Sequence, residues 1–479
     1  MRYRFKYKPY EHQLEALERS WNKEYYALFM DMGTGKSKVL IDNIAMLYDK
    51  GEIDSALIIA PKGVYRNWER KEIPTHLPDH IKANIVTWSP EKTKKKQEEL
   101  DTLNKPTEEL QIFLMNVEAL SSKRGVEIAD KFLLCHRAML AVDESTTIKS
   151  RTANRTKSII KLGKSAPYRR ILTGSPVTKS PLDLFTQCEF LNNNALGHTS
   201  FWTFQNRYAK MVRKNMGAHS FNQIVGYQNL SELNELIEDF SFRVRKEDCL
   251  DLPDKVYTKR LVELTPEQRK LYDQLKRNAL AIIEGEGMIS ASTILTQLLR
   301  LQQVCSGFAK LEDGRMIKVP SNKLTELMSL LEETDGKAII WGNFTHDLEI
   351  IGEALAKQYG PESVELFYGG TPGEERQLIV ERFQDKDDPL RFFVGQPRTG
   401  GYGLTLTEAK TVVYYSNGYD LEVRLQSEDR AHRIGQVNKV TYVDIVADNT
   451  SDEKILRALR SKIDISSQVL AEGYKDWII

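Results

Sequence analysis

The sequence has few cysteines, no long apolar run and almost no net charge. Its four cysteines stand far apart and form no CxxC pair, which excludes a disulfide framework and a zinc site and indicates a reduced, cytosolic protein. No apolar run approaches the roughly 18 residues that a membrane span needs, and the charged N-terminus is not followed by the apolar segment of a signal peptide. Because 68 Lys and Arg residues are balanced by 67 Asp and Glu residues, a polybasic nucleic-acid binder is excluded, and any nucleic-acid contact must come from a local basic face.

Short apolar segments of the kind found in buried strands alternate with helical patterns in two series along the 479 residues. Such near-continuous apolar segments between helices are typical of parallel sheets covered on both faces, so the sequence predicts two α/β units. The first series is Ala56–Ala60, Ile112–Asn116, Ala138–Val142 and Arg170–Thr173. The second series is Lys337–Trp341, Val364–Phe367, Arg391–Gly395, Thr411–Tyr415 and Thr441–Val446.

The middle of the chain, from about residue 185 to 310, shows mostly helical patterns instead. Thr265–Gln268 forms a capping box with Pro at the first helical position, and a second apolar helix is predicted over Ser292–Cys305. We therefore predict a first domain over 1–245 with a helical insertion at about 185–240, and a linker over 246–258. The second domain is predicted over 259–479, with a helical insertion at about 265–310.

A glycine-rich loop, DMGTGKS, lies between an apolar strand pattern and a helical one. Glycines let backbone N–H groups turn inward around phosphates, and the start of the following helix adds its dipole. Lys36 is predicted to reach the β- and γ-phosphates of a nucleotide and Ser37 to hold Mg²⁺. Met30 stands where the full phosphate-loop pattern has a glycine. The predicted nucleotide contacts of the loop are Met32, Gly33, Thr34, Gly35, Lys36 and Ser37.

Two further groups of residues point to phosphate chemistry. Asp143 and Glu144 end an apolar strand, where the first can hold Mg²⁺ and the second can orient or deprotonate a water molecule; a solvated turn is the alternative. Gln426, Arg430 and Arg433 follow the i, i+4, i+7 spacing that predicts one helix face. Because the second series has no phosphate loop of its own, these arginines fit arginine fingers that complete the first site, with a solvated basic face as the alternative.

Taken together, these motifs resemble the Swi/Snf branch of the superfamily 2 helicase-like ATPases, in the order of that family and from about Pro9 to Leu459. The ending His432–Gln436 is the most specific part of the resemblance. The matching segments are Tyr10–Gln13, Asp31–Ser37, Ile59–Lys62 with Asn67–Trp68, Asp143–Thr146 with Ile148–Ser150, Leu172–Pro176, Arg243–Lys246 with Asp251–Pro253, Gly400–Thr407 and Gln426–Gln436.

The resemblance implies a fold of two tandem RecA-like lobes with parallel sheets and helical insertions between them, and it implies ATP and Mg²⁺ as ligands. Gln13 would contact the adenine, and Gly403 and Gln426 would join the nucleotide site. The implied catalytic residues are Lys36, Asp143, Glu144, Arg430 and Arg433, with Ser37 and Asp143 on Mg²⁺. The implied nucleic-acid contacts are Lys62, Trp68, Thr173, Ser175 and Thr405.

The sequence departs from the family pattern at Ser145 and Thr146, which replace the usual small residue and His, and at Gln396–Thr399 ahead of the glycines. These departures and the compact length resemble the small phage or bacterial members. The resemblance therefore implies a monomer in the cytoplasm of a prokaryotic or phage-infected cell, with no membrane contact and with any replication or recombination partner unknown.

The function expected from this resemblance is an ATP-hydrolysing motor on double-stranded or forked DNA. It would translocate along duplexes or remodel them, including annealing and fork reversal, through backbone contacts and without base specificity. The alternative is a non-hydrolysing, ATP-gated DNA clamp or interaction module, which the intact set of five catalytic residues disfavours. An RNA helicase is disfavoured because the last motif resembles the branch that acts on DNA duplexes.

Two basic segments leave alternatives open. At the N-terminus, basic residues alternate with Tyr3, Phe5 and Tyr7, so the rings either stack on a nucleic-acid strand or pack on the first domain. In the inserted region, Arg207, Lys210, Arg213 and Lys214 either contact a nucleic-acid backbone or form a solvated face. The remaining motifs do not decide between these readings.

Overall fold

The computed structural model describes residues 3–62, 64–91, 93–103, 105, 107–216, 219–249, 252–284, 291–311, 313–400, 404–433 and 435–470. The chain divides into two compact units. The first comprises the chain up to Asp251 together with the segment that begins at Asp464, and the second comprises Leu252–Ile463. No helix in these described ranges is long and apolar enough to cross a membrane.

The first unit is built on a seven-stranded parallel sheet in the order β3-β4-β2-β5-β6-β1-β9, with a separate antiparallel hairpin of β7 and β8. The strands are β1 (Tyr25–Met30), β2 (Ser55–Ala60), β3 (Ala83–Thr87), β4 (Leu110–Asn116), β5 (Ala138–Asp143), β6 (Tyr168–Leu172), β7 (Ala209–Met216), β8 (His219–Tyr227) and β9 (Ser241–Val244).

Helices cover both faces of this sheet. They are α1 (Glu11–Ser20), α2 (Lys36–Asp49), α3 (Tyr65–Asn67), α4 (Ile73–His76), α5 (Lys94–Thr102), α6 (Lys123–Cys135), α7 (Asn154–Gly163), α8 (Leu184–Leu191), α9 (Phe201–Tyr208), α10 (Leu230–Glu238) and α11 (Lys246–Cys249). A π-helical turn, Trp68–Glu72, joins α3 to α4, and 3₁₀ turns span Val117–Ser121, Ser145–Ile148 and Pro181–Asp183.

The second unit has a six-stranded parallel sheet in the order β10-β17-β16-β13-β15-β14 and a small hairpin of β11 and β12. The strands are β10 (Lys255–Val262), β11 (Phe308–Lys310), β12 (Met316–Lys318), β13 (Lys337–Trp341), β14 (Val364–Phe367), β15 (Phe392–Gly395), β16 (Ala409–Tyr414) and β17 (Val440–Ala447). The helices are α12 (Pro266–Glu284), α13 (Ala291–Ser306), α14 (Asn322–Glu332), α15 (Thr345–Tyr359), α16 (Gly373–Gln384), α17 (Pro397–Gly400), α18 (Leu421–Glu428) and α19 (Ser451–Leu470), with a 3₁₀ turn at Pro361–Ser363. The part of α19 from Asp464 onward belongs to the first unit.

The alternation of side chains along β1 explains why its whole length is apolar. Ala27 and Phe29 belong to the core on one side of the sheet, and Leu28 and Met30 belong to the core on the other side. A central parallel strand is buried on both faces, so each position must be apolar. The prediction of α/β units with parallel sheets is confirmed, because both large sheets are parallel throughout.

In the middle region, α12 and α13 confirm the two predicted helices, but the expectation that the region is mostly helical misses its strands. That region contains the β7–β8 hairpin and two strands, β9 and β10, that lie at edges of the large sheets. The four residues of β9 pair with β1, more than 200 positions earlier in the chain, so long-range pairing and not a local pattern makes them a strand. The segment 246–258, expected as a linker, contains α11 and the beginning of β10.

The rings of Tyr3 and Phe5 pack on the first unit, which is one of the two alternatives expected for the N-terminal segment. Tyr3 donates a hydrogen bond from its hydroxyl to Asp42 Oδ1 at 3.1 Å, and Asp42 forms a buried ion pair with Lys38 at 2.7 Å. The Lys38 ammonium also lies 5.3 Å from the centre of the Phe5 ring. Tyr7, by contrast, is exposed.

A buried ionic network holds α18 against the sheet of the second unit. Arg424 donates to both carboxylate oxygens of Asp444, at 2.6 and 3.0 Å, and to Glu428 Oε1 at 2.8 Å. Its guanidinium lies over the Tyr414 ring, and Tyr257 donates its hydroxyl to Glu428 Oε2 at 2.7 Å. All three charged side chains are buried, and Lys255 Nζ adds a second cation 3.4 Å from Glu428 Oε2, so the two carboxylates are balanced by two cations.

We expect Arg424→Met to destabilise the second unit by about 3–5 kcal/mol, because the buried Asp444 loses the guanidinium it pairs with and Glu428 keeps the longer pair with Lys255 at 3.4 Å. Native-state hydrogen exchange of the β16 and β17 amides measures this loss as a free energy of opening. As a control, Glu353→Gln removes the partner of Lys318 in an exposed pair and should change the same amides by less than about 1 kcal/mol. Equal effects of the two substitutions would contradict the assignment.

Candidate functional site

The glycine-rich loop joins the end of β1 to the first turn of α2. Gly33 and Gly35 have φ angles of 83° and 90°, in the left-handed region where a side chain would be strained. Gly35 is also the N-cap of α2, so the free amides of that helix face the loop. Lys36 is buried and donates from Nζ to the carbonyl oxygens of Met30 at 2.7 Å and Asp31 at 3.1 Å. The loop therefore combines a helix N-terminus with an ammonium group, which is the chemistry that binds phosphate.

Helix α1 is fastened to this loop by two neighbouring side chains. Gln13 donates from Nε2 to the Thr34 carbonyl at 3.0 Å, and His12 Nε2 lies 2.8 Å from the same oxygen. Gln13 Oε1 in turn accepts from the backbone N–H of Tyr10. A Cβ atom on Gly35 would lie 2.1 Å from Gln13 Nε2, so only glycine permits this approach. The predicted adenine contact and the predicted phosphate loop thus form one structural group.

An open cavity of about 1040 Å³ lies beside α1 in the first unit. The rings of Tyr10 and His12 are stacked at its wall, with their centres 5.9 Å apart. Phe242 and Arg243 line the same cavity from β9. Its aromatic wall gives room for a planar base, while Gln13 follows His12 in α1 and does not itself line the cavity.

The acidic pair lies at the end of β5, as the sequence predicts. Asp143 is buried and accepts two hydrogen bonds, from the indole N–H of Trp68 at 3.0 Å and from the backbone N–H of Glu144 at 3.0 Å. Burial raises the pKa of the Asp143 carboxyl above its ordinary value, while the Trp68 bond and the charge of Lys36 oppose this rise. Glu144 has the left-handed backbone angles φ 49° and ψ 61°, which are uncommon outside glycine. A buried carboxylate of this kind is stabilised by an added cation, which fits a metal ligand.

One arginine that the sequence analysis did not place in the site ties the loop to two other motifs. Arg243 forms an ion pair with Asp31 Oδ1 at 3.1 Å and donates to the carbonyl oxygens of Gly174 at 2.9 Å and Phe29 at 3.1 Å. Asp31 Oδ2 accepts from the backbone N–H of Lys246 at 3.2 Å. The sequence shows Arg243 as part of a matching motif, Arg243–Lys246. It does not show which residues Arg243 contacts.

The other residues assigned to the first site take different positions. Ser37 is half-buried in the first turn of α2, and Lys62 is exposed after β2. Thr173 is buried and accepts from the backbone N–H of Ser175, which is half-buried. Trp68 is only 1% exposed, so its side chain belongs to the acidic site and does not reach a nucleic-acid backbone at the surface.

The arginines in the second unit do not share one helix face, so that expectation is wrong. Helix α18 ends at Glu428, and Arg430 and Arg433 lie in the turns that follow. There the amide of Arg430 bonds to the Ser427 carbonyl three residues back, which is too tight for an α-helix. Both guanidinium groups nevertheless donate to one atom, the Leu404 carbonyl oxygen, at 3.3 and 2.9 Å.

The residues around this carbonyl include two more of the predicted contacts. Thr405 Oγ1 accepts from Arg433 Nη1 at 3.1 Å, and the backbone carbonyl of Gln426 accepts from Arg430 Nε at 2.9 Å. Gly403, the remaining predicted nucleotide contact, lies outside the described residues. The second unit therefore brings together Thr405, Arg430 and Arg433. Gln426 takes part through its main-chain carbonyl.

Comparison with known proteins finds two family matches. Residues 12–308 match the SNF2-related domain, and residues 322–435 match the helicase conserved C-terminal domain. A similar curated protein is the putative ATP-dependent helicase/translocase YwqA of Bacillus subtilis, which is 28% identical over 463 residues, 94% of this chain and 46% of that protein. Another is chromodomain-helicase-DNA-binding protein 1-like of Mus musculus, with 25% identity over 461 residues, 93% of this chain and 47% of that protein.

The chain thus spans less than half the length of these two relatives. Among solved structures, the Sulfolobus solfataricus SWI2/SNF2 ATPase core in complex with dsDNA is similar, with 25% identity and a TM-score of 0.43. The alignment covers 98% of this chain and 95% of that chain.

We expect Trp68→Phe to raise the Mg²⁺ concentration needed for half-maximal nucleotide binding by about 10–100-fold, the usual range for a partner that orients a metal ligand. The phenyl ring keeps most of the packing but removes the N–H that orients Asp143. Titration of a fluorescent ATP analogue against Mg²⁺ measures the effect. Trp202→Phe, at an exposed position, is the matched control. An unchanged Mg²⁺ requirement in a stably folded Trp68→Phe protein would refute the role.

Proposed function

The chain belongs to the SNF2-related family, and we propose that it is an ATP-hydrolysing motor that acts on double-stranded or forked DNA without base specificity. The observation that carries the proposal is the joint position of Lys36 and Asp143. Lys36 is buried in the first turn of α2, which follows β1, and Asp143 is buried at the end of β5 in the same sheet as β1. The charge of Lys36 acts on the Asp143 carboxyl. A structural site has no need of a buried ammonium on a glycine loop beside a buried carboxylate.

In this proposal, Lys36 neutralises the β- and γ-phosphates of ATP while the first amides of α2 bind their oxygens. Ser37 and Asp143 would hold Mg²⁺, which when bound offsets the charge of the phosphate oxygens. Glu144 orients the attacking water and accepts its proton. The backbone of Met32, Gly33, Thr34 and Gly35 surrounds the phosphates.

The adenine is proposed to lie in the cavity beside α1, next to Gln13 and the Tyr10 ring. Gly403 and Gln426 are proposed as further nucleotide contacts. Arg430 and Arg433 are proposed to stabilise the charge that develops on the transferred phosphate, as arginine fingers do.

The nucleic-acid contacts are proposed to be with the sugar-phosphate backbone, because phosphate contacts position a protein without reading sequence. Lys62, Thr173, Ser175 and Thr405 are the proposed residues. The choice of DNA is supported by the resemblance of the last motif and by the name of one relative, which describes it as DNA-binding. Translocation, annealing and fork reversal are the forms of remodelling that this arrangement would serve.

The proposal is tested by ATP turnover with blunt duplex DNA, forked DNA, single-stranded DNA and RNA compared at equal nucleotide concentration. We expect duplex and forked DNA of any sequence to stimulate turnover more than RNA, and we expect the stimulation to weaken steeply with salt. Glu144→Gln should still bind ATP but turn it over slowly, and Lys36→Ala should abolish turnover.

Two outcomes would overturn the proposed motor function. If RNA and duplex DNA stimulate equally, or if neither does, the duplex substrate is wrong. If Glu144→Gln keeps the wild-type rate, the protein does not use this site for hydrolysis.

We expect Arg430→Ala or Arg433→Ala to reduce ATP turnover by about 10³–10⁵-fold, the range for an arginine finger. Nucleotide affinity should stay within a few-fold, because Gln13 and the phosphate loop are unchanged. Turnover at saturating DNA and low salt, with thermal unfolding as a check of the fold, measures this. Arg315→Ala, an exposed arginine of the second unit, is the control. Recovery of near-normal turnover under these conditions would show that the arginines bind DNA phosphates instead.

A further inference from the structure

The β7–β8 hairpin of the first unit presents an apolar and basic face to solvent. Residues on one face of an antiparallel pair are alternate residues of each strand and their cross-strand partners. Val212 pairs with Gln223 and Lys214 pairs with Phe221, so these four residues share one face with Lys210. All five are exposed, and we call this set the outer face.

The other face of the hairpin, which we call the inner face, holds Met211, Arg213, Asn222 and Ile224, and its two polar residues, Arg213 and Asn222, are exposed. Met211 pairs with Ile224, and both side chains are half-buried. On the outer face, Val212 and Phe221 keep 47% and 48% of their surface exposed, and Val225, at the irregularity of the pair, keeps 57%. A two-stranded hairpin is only marginally stable by itself, and apolar side chains that point to water add nothing to its stability. Three such residues on one short hairpin therefore indicate a binding surface.

The charge of the hairpin identifies the kind of partner. Residues 209–227 contain Lys210, Arg213 and Lys214 but no Asp or Glu, in a chain whose net charge is only +1. Among the described residues, neither lysine has a carboxylate within ion-pair distance, whereas the nearby Arg207 is paired with Glu232. Arg213 is on the inner face and donates to Ser220 Oγ at 2.8 Å. The two lysines of the outer face are thus available for an anion.

We infer that the outer face binds an unpaired nucleic-acid strand, with Phe221 as a platform for a base and Lys210 and Lys214 on phosphates. An exposed aromatic ring between cations is the combination that single-strand binders use, because every base has a face that stacks. A duplex offers the ring no free base, so this contact is distinct from the backbone contacts of the motor. The inference rests on the proposed function in one respect, since forked DNA supplies the single strand.

The test is a binding titration of the full chain with fluorescein-labelled single-stranded, forked and blunt duplex DNA. We expect Phe221→Ala to weaken single-strand and fork binding by about 5–100-fold, the range for loss of one stacked base, and to leave blunt duplex binding within two-fold. Phe221→Trp should retain wild-type affinity because it keeps a stacking ring. Leu134→Ala, at an exposed apolar position of the same unit, is the control.

A second pair of variants tests the lysines. Lys210→Ala/Lys214→Ala should reduce the slope of log affinity against log salt for the single strand by about 1.4, since two phosphate contacts are lost. Lys94→Ala/Lys123→Ala removes two exposed lysines of the same unit and should leave the slope unchanged.

Three results would overturn the inference. One is equal single-strand binding by wild type and Phe221→Ala. Another is an equal loss of duplex binding, which would mean that no base is stacked. The third is a wild-type protein that sediments as a dimer and becomes a monomer in Phe221→Ala without a change in DNA binding. ATP turnover with duplex DNA is measured on the same variants to keep the two proposals separate. If duplex DNA does not stimulate the wild type, the proposed motor function is wrong. The binding titration still decides whether the hairpin contacts a single strand.

Discussion

The buried carboxylate of Asp143 is the constraint on which the first site depends. Burial disfavours its charged form, so the group has to be surrounded by donors and positive charge. The indole of Trp68, the amide of Glu144 and the charge of Lys36 come from three segments that are far apart in the sequence. Two of these donors come from irregular backbone, since Trp68 begins a π-helical turn and Glu144 has left-handed backbone angles. Both irregularities lie in the site and not at the periphery, as expected of features kept for function.

In the second unit the buried charged group that needs partners is a cation, Arg424. Arg424 is buried between the carboxylates of Asp444 and Glu428, and Glu428 is the last residue of α18. This end places Arg430 and Arg433 in tight turns, and the turns direct both guanidinium groups to the Leu404 carbonyl. The buried network therefore anchors the end of α18, which lies two residues before Arg430. The network has a stabilising role, while the two predicted catalytic arginines are held by the Leu404 carbonyl.

The parts of the fold that depend on local patterns were predictable from the sequence. The bounds of β13 and β14 agree with the apolar segments, and the strand–glycine loop–helix order around Lys36 appears as expected. Long-range contacts decided the rest. Strand β9 is a strand because it pairs with β1, and Trp68, assigned to DNA by resemblance, is held inside by Asp143. Spacing alone could not show that α18 ends before Arg430, because the i, i+4, i+7 spacing continues past the helix end at Glu428. The motifs identified most of the residues assigned to the site. The contacts between these residues became known only from the structure.

Lys36 shows why such a site can exist before its ligand binds. Its ammonium is buried, yet its hydrogen bonds go to the neutral carbonyls of Met30 and Asp31, and no carboxylate in the described part of the chain lies within ion-pair distance of it. Bonds from an ammonium to an anionic oxygen are stronger than bonds to a neutral carbonyl, so exchanging the carbonyls for phosphate oxygens is favourable. A carboxylate partner would have to be displaced and left buried, which costs several kcal/mol. Asp31, the nearest acid in sequence, is instead engaged by Arg243 and the Lys246 amide. The arginine that the sequence analysis did not place in the site thereby keeps the loop acid away from the lysine that must meet the phosphate.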